Sequence, residues 1–263
     1  IKDLFKNRFI INGIPTQSIR SVIKQFKPYF DEDNIFVNLS KGLELETHNR
    51  ISQIVKQELG EDTHYAILSG PSHAEEVIRK IPTAVVIACE DINLAKEIQL
   101  IFTNDWFRVY SSTDVIGVEL GGAIKNTLAF GIGMLDGLGY GDNTKAAVIT
   151  RGINEMNRLL IEFDANPNTL NGLAGVGDLI VTSTSLNSRN YRTGLLIGQG
   201  LSMQDAISEI NMVVEGIPTT KALNQLAKNH KLDLPITSEI YKILYENKNP
   251  NDSVASLMGR SLK

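Results

Sequence analysis

Lys125 places an ammonium group in the least charged long stretch of the chain, since residues 115–130 are almost wholly apolar or small. A cation there must be paired, solvated in a cleft, or partly discharged. Burial disfavours the charged form of lysine and can lower its pKa by several units. A lysine tuned in this way serves as a general acid/base near neutral pH. A lysine that carries its head to water from a half-buried helix explains the same residue, and this stretch alone leaves both readings open.

Other blocks carry similar ambiguity. Lys41 lies in Leu39-Ser40-Lys41-Gly42, just after an expected strand. Ligands of open α/β sheets bind beyond the carboxyl ends of strands, although a turn lysine facing water fits equally. In Ser69-Gly70-Pro71-Ser72-His73-Ala74-Glu75, Gly70 lets the backbone approach a ligand closely. Ser72 can cap a helix with Glu75 completing a capping box, and the free N–H groups of that first turn can receive an anion. Gly172, Gly175 and Gly177 indicate a tight turn that delivers Asp178 to a crowded place, or presents it as a plain N-cap. Ser188-Arg189-Asn190 is a donor cluster of the kind that grips phosphate, the guanidinium being a planar fork. It is also what any polar loop contains. Glu215, after Met212-Val213-Val214, reads as a helix boundary.

The elements needed to position these residues can be read from apolar spacing. Strands are expected at Phe9–Ile14, Ile35–Leu39, Tyr65–Leu68, Val85–Ala88 and Phe107–Tyr110. They alternate with helices over Thr16–Phe26, from Thr47 as cap to Gly60, from Ser72 or His73, and over Asn93–Phe102. That alternation implies a mainly parallel α/β sheet. After residue 112 the spacing is helical over Val115–Leu135, Thr144–Phe163, Met203–Glu209, Thr219–Asn229 and Ser238–Glu246. The expected organisation is an α/β domain over 1–112 followed by an all-helical domain over 113–263.

Composition narrows the function classes. With 42% hydrophobic and 21% charged residues over 263 positions, the chain is an ordinary globular one. A net charge of −4 gives no general affinity for nucleic acid or anionic membrane. No apolar run is read as approaching a membrane span, and no signal peptide is seen. The single cysteine, Cys89, cannot form an internal disulfide and reads as a buried strand residue. No histidine pairs with Cys or Asp at ligand spacing, so no metal is expected. The dinucleotide fingerprint Gly-x-Gly-x-x-Gly after a strand is missing: Gly131-x-Gly133 is followed by Asp136, and Gly137-x-Gly139-x-Gly141 has the wrong spacing.

Taken together, Gly13–Gln17, Ser40–Glu44, Leu68–Ser72, Val115–Asn126, Gly172–Leu179, Ser188–Asn190, Val213–Gly216 and Leu257–Arg260 resemble the bacterial type of NAD(P)-dependent glycerol-3-phosphate dehydrogenases, in the same order along essentially the whole chain. The resemblance implies a Rossmann-type sheet followed by an all-helical domain, and a homodimer in the cytoplasm. It implies interconversion of sn-glycerol 3-phosphate and dihydroxyacetone phosphate with NAD or NADP, for glycerophospholipid synthesis. Lys125 then matches the acid/base. Lys41, Gly70, Ser72, Asp178, Ser188, Arg189 and Asn190 match substrate contacts, and Lys41, Ala74, Arg189, Val213 and Glu215 match cofactor contacts. Family members open with a strand and a glycine-rich turn, at least one βαβ unit of ~30 residues. The sheet here is therefore expected to be incomplete, which bears on cofactor binding.

The implied chemistry is hydride transfer at C2 of the substrate, with Lys125 exchanging the hydroxyl proton and Asp178 and Asn126 orienting its ammonium. Two rivals use the same residues: a lyase in which Lys125 forms a Schiff base with a phosphorylated ketone, and a non-catalytic chain that binds sugar phosphates.

Overall fold

The structure, a computed structural model, describes residues 2–260. After a 3-10 turn at Lys2–Lys6 come β1 (Phe9–Asn12), α1 (Thr16–Phe26), β2 (Ile35–Asn38), α2 (Ile51–Leu59), β3 (His64–Ser69), α3 (Ala74–Val77), β4 (Thr83–Cys89), α4 (Ile92–Phe102) and β5 (Phe107–Ser112). The strands form one sheet in the order β1-β2-β3-β4-β5. Neighbours are parallel except β3 and β4, which gives the expected mainly parallel α/β sheet with one reversal. Where α1, α2 and α4 carry the chain back along the sheet, the single turn of α3 does not, and β4 returns in the opposite sense.

Both faces of the sheet are covered, so β2 is apolar without alternation over Ile35–Val37 and buried throughout, Asn38 included. Its side chains still alternate between cores. Phe36 joins Ile19, Ile23, Ile51 and Ile54 on one face, while Ile35 and Val37 join Val85, Ile87, Leu94 and Ile98 on the other.

The rest is helical: α5 (Val115–Gly137), α6 (Asp142–Glu162), a 3-10 turn at Pro167–Asn171, a π turn at Leu173–Gly177, α7 (Asp178–Thr184), α8 (Arg189–Gly198), α9 (Met203–Ile210), α10 (Gly216–His230), α11 (Pro235–Glu246) and α12 (Pro250–Met258). Helix α5 is the axle of this part. It has 23 residues with a mean hydropathy of 1.3 over its most apolar window, long and apolar enough to cross a membrane, so the reading that no run approaches that length is corrected. Glu119, Lys125 and Asp136 interrupt the run by eye, yet the apolar residues between them keep the window mean at 1.3. The window is 94% buried within the protein, and a helix apolar on all sides is one wrapped by its neighbours.

Helices α7, α8 and α12 are not foreshadowed by apolar spacing, and α8 shows why. It lies on α5 through glycine: a Cβ at Gly133 would sit 2.1 Å from the Tyr191 carbonyl oxygen, and one at Gly194 2.0 Å from that of Phe130. Gly137 and Gly198 meet Leu195 and Met134 in the same way. Interaxial distance follows the side chains at the contact, and here there are none. Two of the glycines that fail as a phosphate fingerprint, Gly133 and Gly137, are the seam of a helix crossing, which brings Ser188-Arg189-Asn190 beside Lys125.

Two expected caps are replaced. Thr47 bonds Glu44 instead of opening a helix. The start of α2 is held by Gln53, which accepts the Arg50 N–H at 2.9 Å, and by Glu119, which accepts the Ser52 N–H at 2.8 Å. Ser72 donates its hydroxyl to the Gly70 carbonyl at 3.1 Å, and α3 begins after His73 without a side-chain cap, so the Ser72–Glu75 box does not form.

Candidate active site

The Lys125 amine is buried, with 6% of the residue exposed. It donates to Asp178 Oδ1 at 2.8 Å and to Thr182 Oγ1 at 2.7 Å. Thr182 lies one helical turn after Asp178 on α7, so both face α5 together. Asp178 turns its other oxygen to Lys41, whose Nζ donates to Oδ2 at 2.5 Å and to the Gly70 carbonyl at 3.2 Å. One carboxylate thus holds two ammonium groups.

Backbone geometry delivers these groups. A Cβ on Gly175 would lie 2.2 Å from the Leu170 carbonyl oxygen, so the π turn rests directly on the preceding 3-10 turn and α7 starts at Asp178. Gly70, with φ +141° and its Cβ direction 3.0 Å from Val85 Cα, is a position only glycine fills.

The electrostatics follow from this crowding. Burial is the largest influence on Lys125, and the cations of Lys41 and Arg189 act in the same sense. Together they outweigh the Asp178 carboxylate and bring its pKa down to about 8. Burial alone would raise Asp178, but Lys125 and Lys41 hold it below the ordinary carboxylate range. Burial raises Glu215, opposed by the Thr16 N–H, which donates to its Oε1 at 2.9 Å.

A second set of contacts ties the surrounding elements together. The Gly216 N–H donates to Asn190 Oδ1 at 2.9 Å, and Asn190 Nδ2 donates to Asn126 Oδ1 at 2.9 Å. Asn126 Nδ2 reaches the Lys41 carbonyl at 3.3 Å. Asn126 therefore does not orient the Lys125 ammonium as expected; Thr182 does. Ser188 caps α8, accepting the Tyr191 N–H at 3.2 Å. Arg189 and Asn190 open that helix, so the donor cluster is a helix N-terminus and not a loop. Among the described residues the Arg189 guanidinium makes no ion pair.

These groups surround a cavity of about 530 Å³. Lys41, Gly70, Ser72, Ala74, Lys125, Asp178, Ser188, Arg189, Asn190, Val213 and Glu215 all line it. So do Pro15, His73, Thr182 and Asn187, which were not singled out as site residues. Thr182 had a usable signal in its four-residue spacing from Asp178. A larger cavity of about 660 Å³ lies between α5, α6, α11 and α12. It is mainly apolar, and its buried acid Glu155 is spent on the Ile236 and Thr237 N–H groups at the start of α11. Its other acids are paired as well, Glu239 with Lys242 and Lys248 and Asp233 with Arg158 and Arg260, whereas the smaller cavity holds the buried Lys125–Asp178–Lys41 set.

Two family models match. One, described as the N-terminus of NAD-dependent glycerol-3-phosphate dehydrogenase, covers residues 3–95, and the other, described as its C-terminus, covers 114–255. A curated relative from Thermoanaerobacter sp. (strain X514), named glycerol-3-phosphate dehydrogenase [NAD(P)+], is 49% identical over 257 residues, 98% of this chain and 77% of its own length. A relative of the same name from Pelotomaculum thermopropionicum is 49% identical over 261 residues, 98% of this chain and 75% of that protein. The crystal structure of glycerol-3-phosphate dehydrogenase from Coxiella burnetii superposes with a TM-score of 0.95 at 37% identity, covering 99% of this chain and 80% of that one.

Proposed function

This chain belongs to the NAD-dependent glycerol-3-phosphate dehydrogenase family, and from that premise we propose that its buried Lys125 is the acid/base of the reaction. The substrate pair is sn-glycerol 3-phosphate and dihydroxyacetone phosphate, and the cofactor is NAD or NADP. The observation that carries the assignment is one amine, shielded from solvent in the cavity, held by Asp178 and Thr182.

Oxidation removes the C2 hydroxyl proton as hydride leaves that carbon, and reduction returns it. Lys125 Nζ takes the proton in one direction and gives it back in the other. Its pKa of about 8 keeps both forms populated near neutral pH. Arg189 and the free N–H groups of the first turn of α8 hold the phosphate, and that remote binding positions the reacting carbon. Lys41 and Asp178 fix the Lys125 amine, with Gly70, Ser72, Ser188 and Asn190 completing the substrate wall.

A nicotinamide, when bound, accepts or supplies the hydride. Lys41, Ala74, Arg189, Val213 and Glu215 would hold the cofactor. Glu215 lines the cavity while its Oε1 accepts the Thr16 N–H at 2.9 Å, which fixes the carboxylate at the start of α1. The wall formed by Leu39 and Lys41 lies just past the carboxyl end of β2, where ligands of such sheets bind.

We further place the remainder of a dinucleotide-binding, Rossmann-like domain at 1–112 and an all-helical substrate and catalytic domain at 113–263. This division is supported by the end of β5 at Ser112 and the start of α5 at Val115. A cytoplasmic homodimer supplying glycerophospholipid synthesis, without nucleic acid or membrane as partner, is the setting that the family resemblance suggests.

The basic test is separate titration and turnover with NADH and NADPH. Dihydroxyacetone phosphate reduction with either cofactor supports the reading, and substrate trapped on the protein by borohydride would replace it with the Schiff-base lyase. The profile of kcat/KM against pH is expected to be opposite in the two directions. Glycerol 3-phosphate oxidation needs the neutral amine and rises with pH through about 8, while ketone reduction needs the ammonium and falls through the same value. Profiles flat over about one unit either side would remove Lys125 from the proton transfer. Arg189→Ala is expected to raise KM for dihydroxyacetone phosphate on the order of tens-fold, the worth of a charge-assisted contact. An unphosphorylated analogue should show no comparable loss, and equal losses on both would show that Arg189 does not read the phosphate.

A further inference from the structure

Six residues before Lys125 on the same helix, Glu119 is a second buried charge that the chemistry above does not use; it is 4% exposed. Four donors satisfy it. Oε1 accepts from the Ser52 N–H at 2.8 Å and the Tyr65 hydroxyl at 2.7 Å, and Oε2 accepts from Ser52 Oγ at 2.6 Å and Arg50 Nη1 at 2.7 Å. Capping α2 and pairing Arg50 would account for most of this arrangement.

The Tyr65 contact goes further. The same hydroxyl accepts from Asn38 Nδ2 at 3.0 Å. Asn38, fully buried at the end of β2, also donates to the Ser40 carbonyl at 2.9 Å. Its Oδ1 accepts the Ser40 N–H at 3.0 Å and Asn12 Nδ2 at 2.8 Å. All four hydrogen bonds that an asparagine amide can make are filled, and two of them fix the residue preceding Lys41. On the far side, the Lys41 carbonyl is held by Asn126, also on α5. The loop that carries Lys41 is thus gripped from both sides by the helix that carries Lys125.

We propose that Glu119, Tyr65 and Asn38 form a positioning chain that sets the Lys41 loop against the Lys125–Asp178 pair, so that Tyr65 is a positioning residue for the proton transfer and not only a core side chain. The inference rests on the acid/base reading of Lys125. Its physical content is the Lys41 ammonium. When that charge withdraws, Lys125 loses a repelling neighbour and gains the whole of Asp178. The charged and polar groups facing Lys125 are Asp178 and Thr182 on α7, Lys41 on the loop, and Arg189 on α8.

The test compares Tyr65→Phe with Ser52→Ala. Each removes one hydroxyl donor to Glu119, but only the first breaks the path to Asn38. The Phe ring keeps its place stacked on Phe36, whose centroid lies 6.2 Å away. Two readouts are taken from the intact chain: kcat and KM for dihydroxyacetone phosphate, and the pH midpoint for acetylation of Lys125 by acetic anhydride, followed by peptide mass. Tyr65→Phe is expected to lower kcat about tenfold or more with little change in KM, since small displacements remote from the chemistry can cost 10²-fold, and to move the Lys125 midpoint upward. Ser52→Ala should leave both where they are. Asn38→Asp, of the same size with at least one donor fewer, should repeat the Tyr65→Phe result, and it stands in should Tyr65→Phe fail to fold. Wild-type kcat and midpoint in the folded Tyr65→Phe and Asn38→Asp proteins, or equal losses in Ser52→Ala, would overturn the proposal. A Lys125 midpoint that moves as expected in Tyr65→Phe and Asn38→Asp, while the wild-type chain itself shows no turnover, would leave the positioning chain standing and overturn the acid/base reading instead.

Discussion

Lys125→Ala is expected to reduce kcat for dihydroxyacetone phosphate reduction by about 10²–10⁴-fold, the usual contribution of a positioned acid/base. The loss should appear in both directions, because in the proposed reaction the same amine gives and receives the proton. KM should change little, since the phosphate contact proposed for Arg189 lies on another helix. The fold should survive. Asp178 keeps its ion pair with Lys41 at 2.5 Å, so truncating Lys125 does not leave a buried carboxylate without a cation, the situation that makes breaking buried pairs expensive. An unchanged melting temperature beside the lost rate separates this outcome from simple unfolding. Turnover within a few-fold of wild type would assign the proton to another group, with His73, which also lines the cavity, as a candidate.

Much of this site was legible in the sequence because burying charge is costly. A lysine inside an almost uncharged stretch demands a partner or a task, and that argument reaches Lys125 without coordinates. Applied to the same stretch it also reaches Glu119, whose partners lie far away in sequence at Arg50, Ser52 and Tyr65. Only the tertiary fold could name them. Strand and helix alternation up to residue 112 was legible because both faces of the sheet are covered and the intervening helices are amphipathic. The helices that bring the site together were not. Helix α8 packs by glycine against glycine, and an interface without side chains leaves no apolar period to read. The first turn of α8 is also polar by need, because its free N–H groups and Arg189 face the cavity, so a functional helix start looks like a loop. Thr182 carried a signal in its four-residue spacing from Asp178, but that spacing points to a shared face only if both residues are read as lying on one helix. Asn126 shows the opposite error, since adjacency to Lys125 in sequence suggests contact while successive helical residues point in different directions.

Asp178→Asn is expected to be nearly as damaging as loss of Lys125, but with a signature that no other substitution at the site shares. Asparagine keeps the shape and an acceptor for one ammonium, so Thr182 and the backbone of α7 stay in place. What disappears is the charge that opposes burial and the Lys41 and Arg189 cations around Lys125. The Lys125 pKa must then fall below about 8, and the amine sheds its proton at neutral pH instead of remaining as an unpaired buried ion. That discharge limits the stability loss to less than the roughly 3–5 kcal/mol typical of a broken buried pair. It also removes the proton that ketone reduction needs. Reduction at neutral pH should drop on the order of 10²-fold and recover partly as the pH is lowered. Glycerol 3-phosphate oxidation, which uses the neutral amine, should lose only what misorientation costs, and its rise with pH should begin at lower pH than in the wild type. Measuring both directions across the pH range decides the matter. Equal losses in the two directions, with midpoints unmoved, would mean that Asp178 holds the helices together without setting the charge on Lys125.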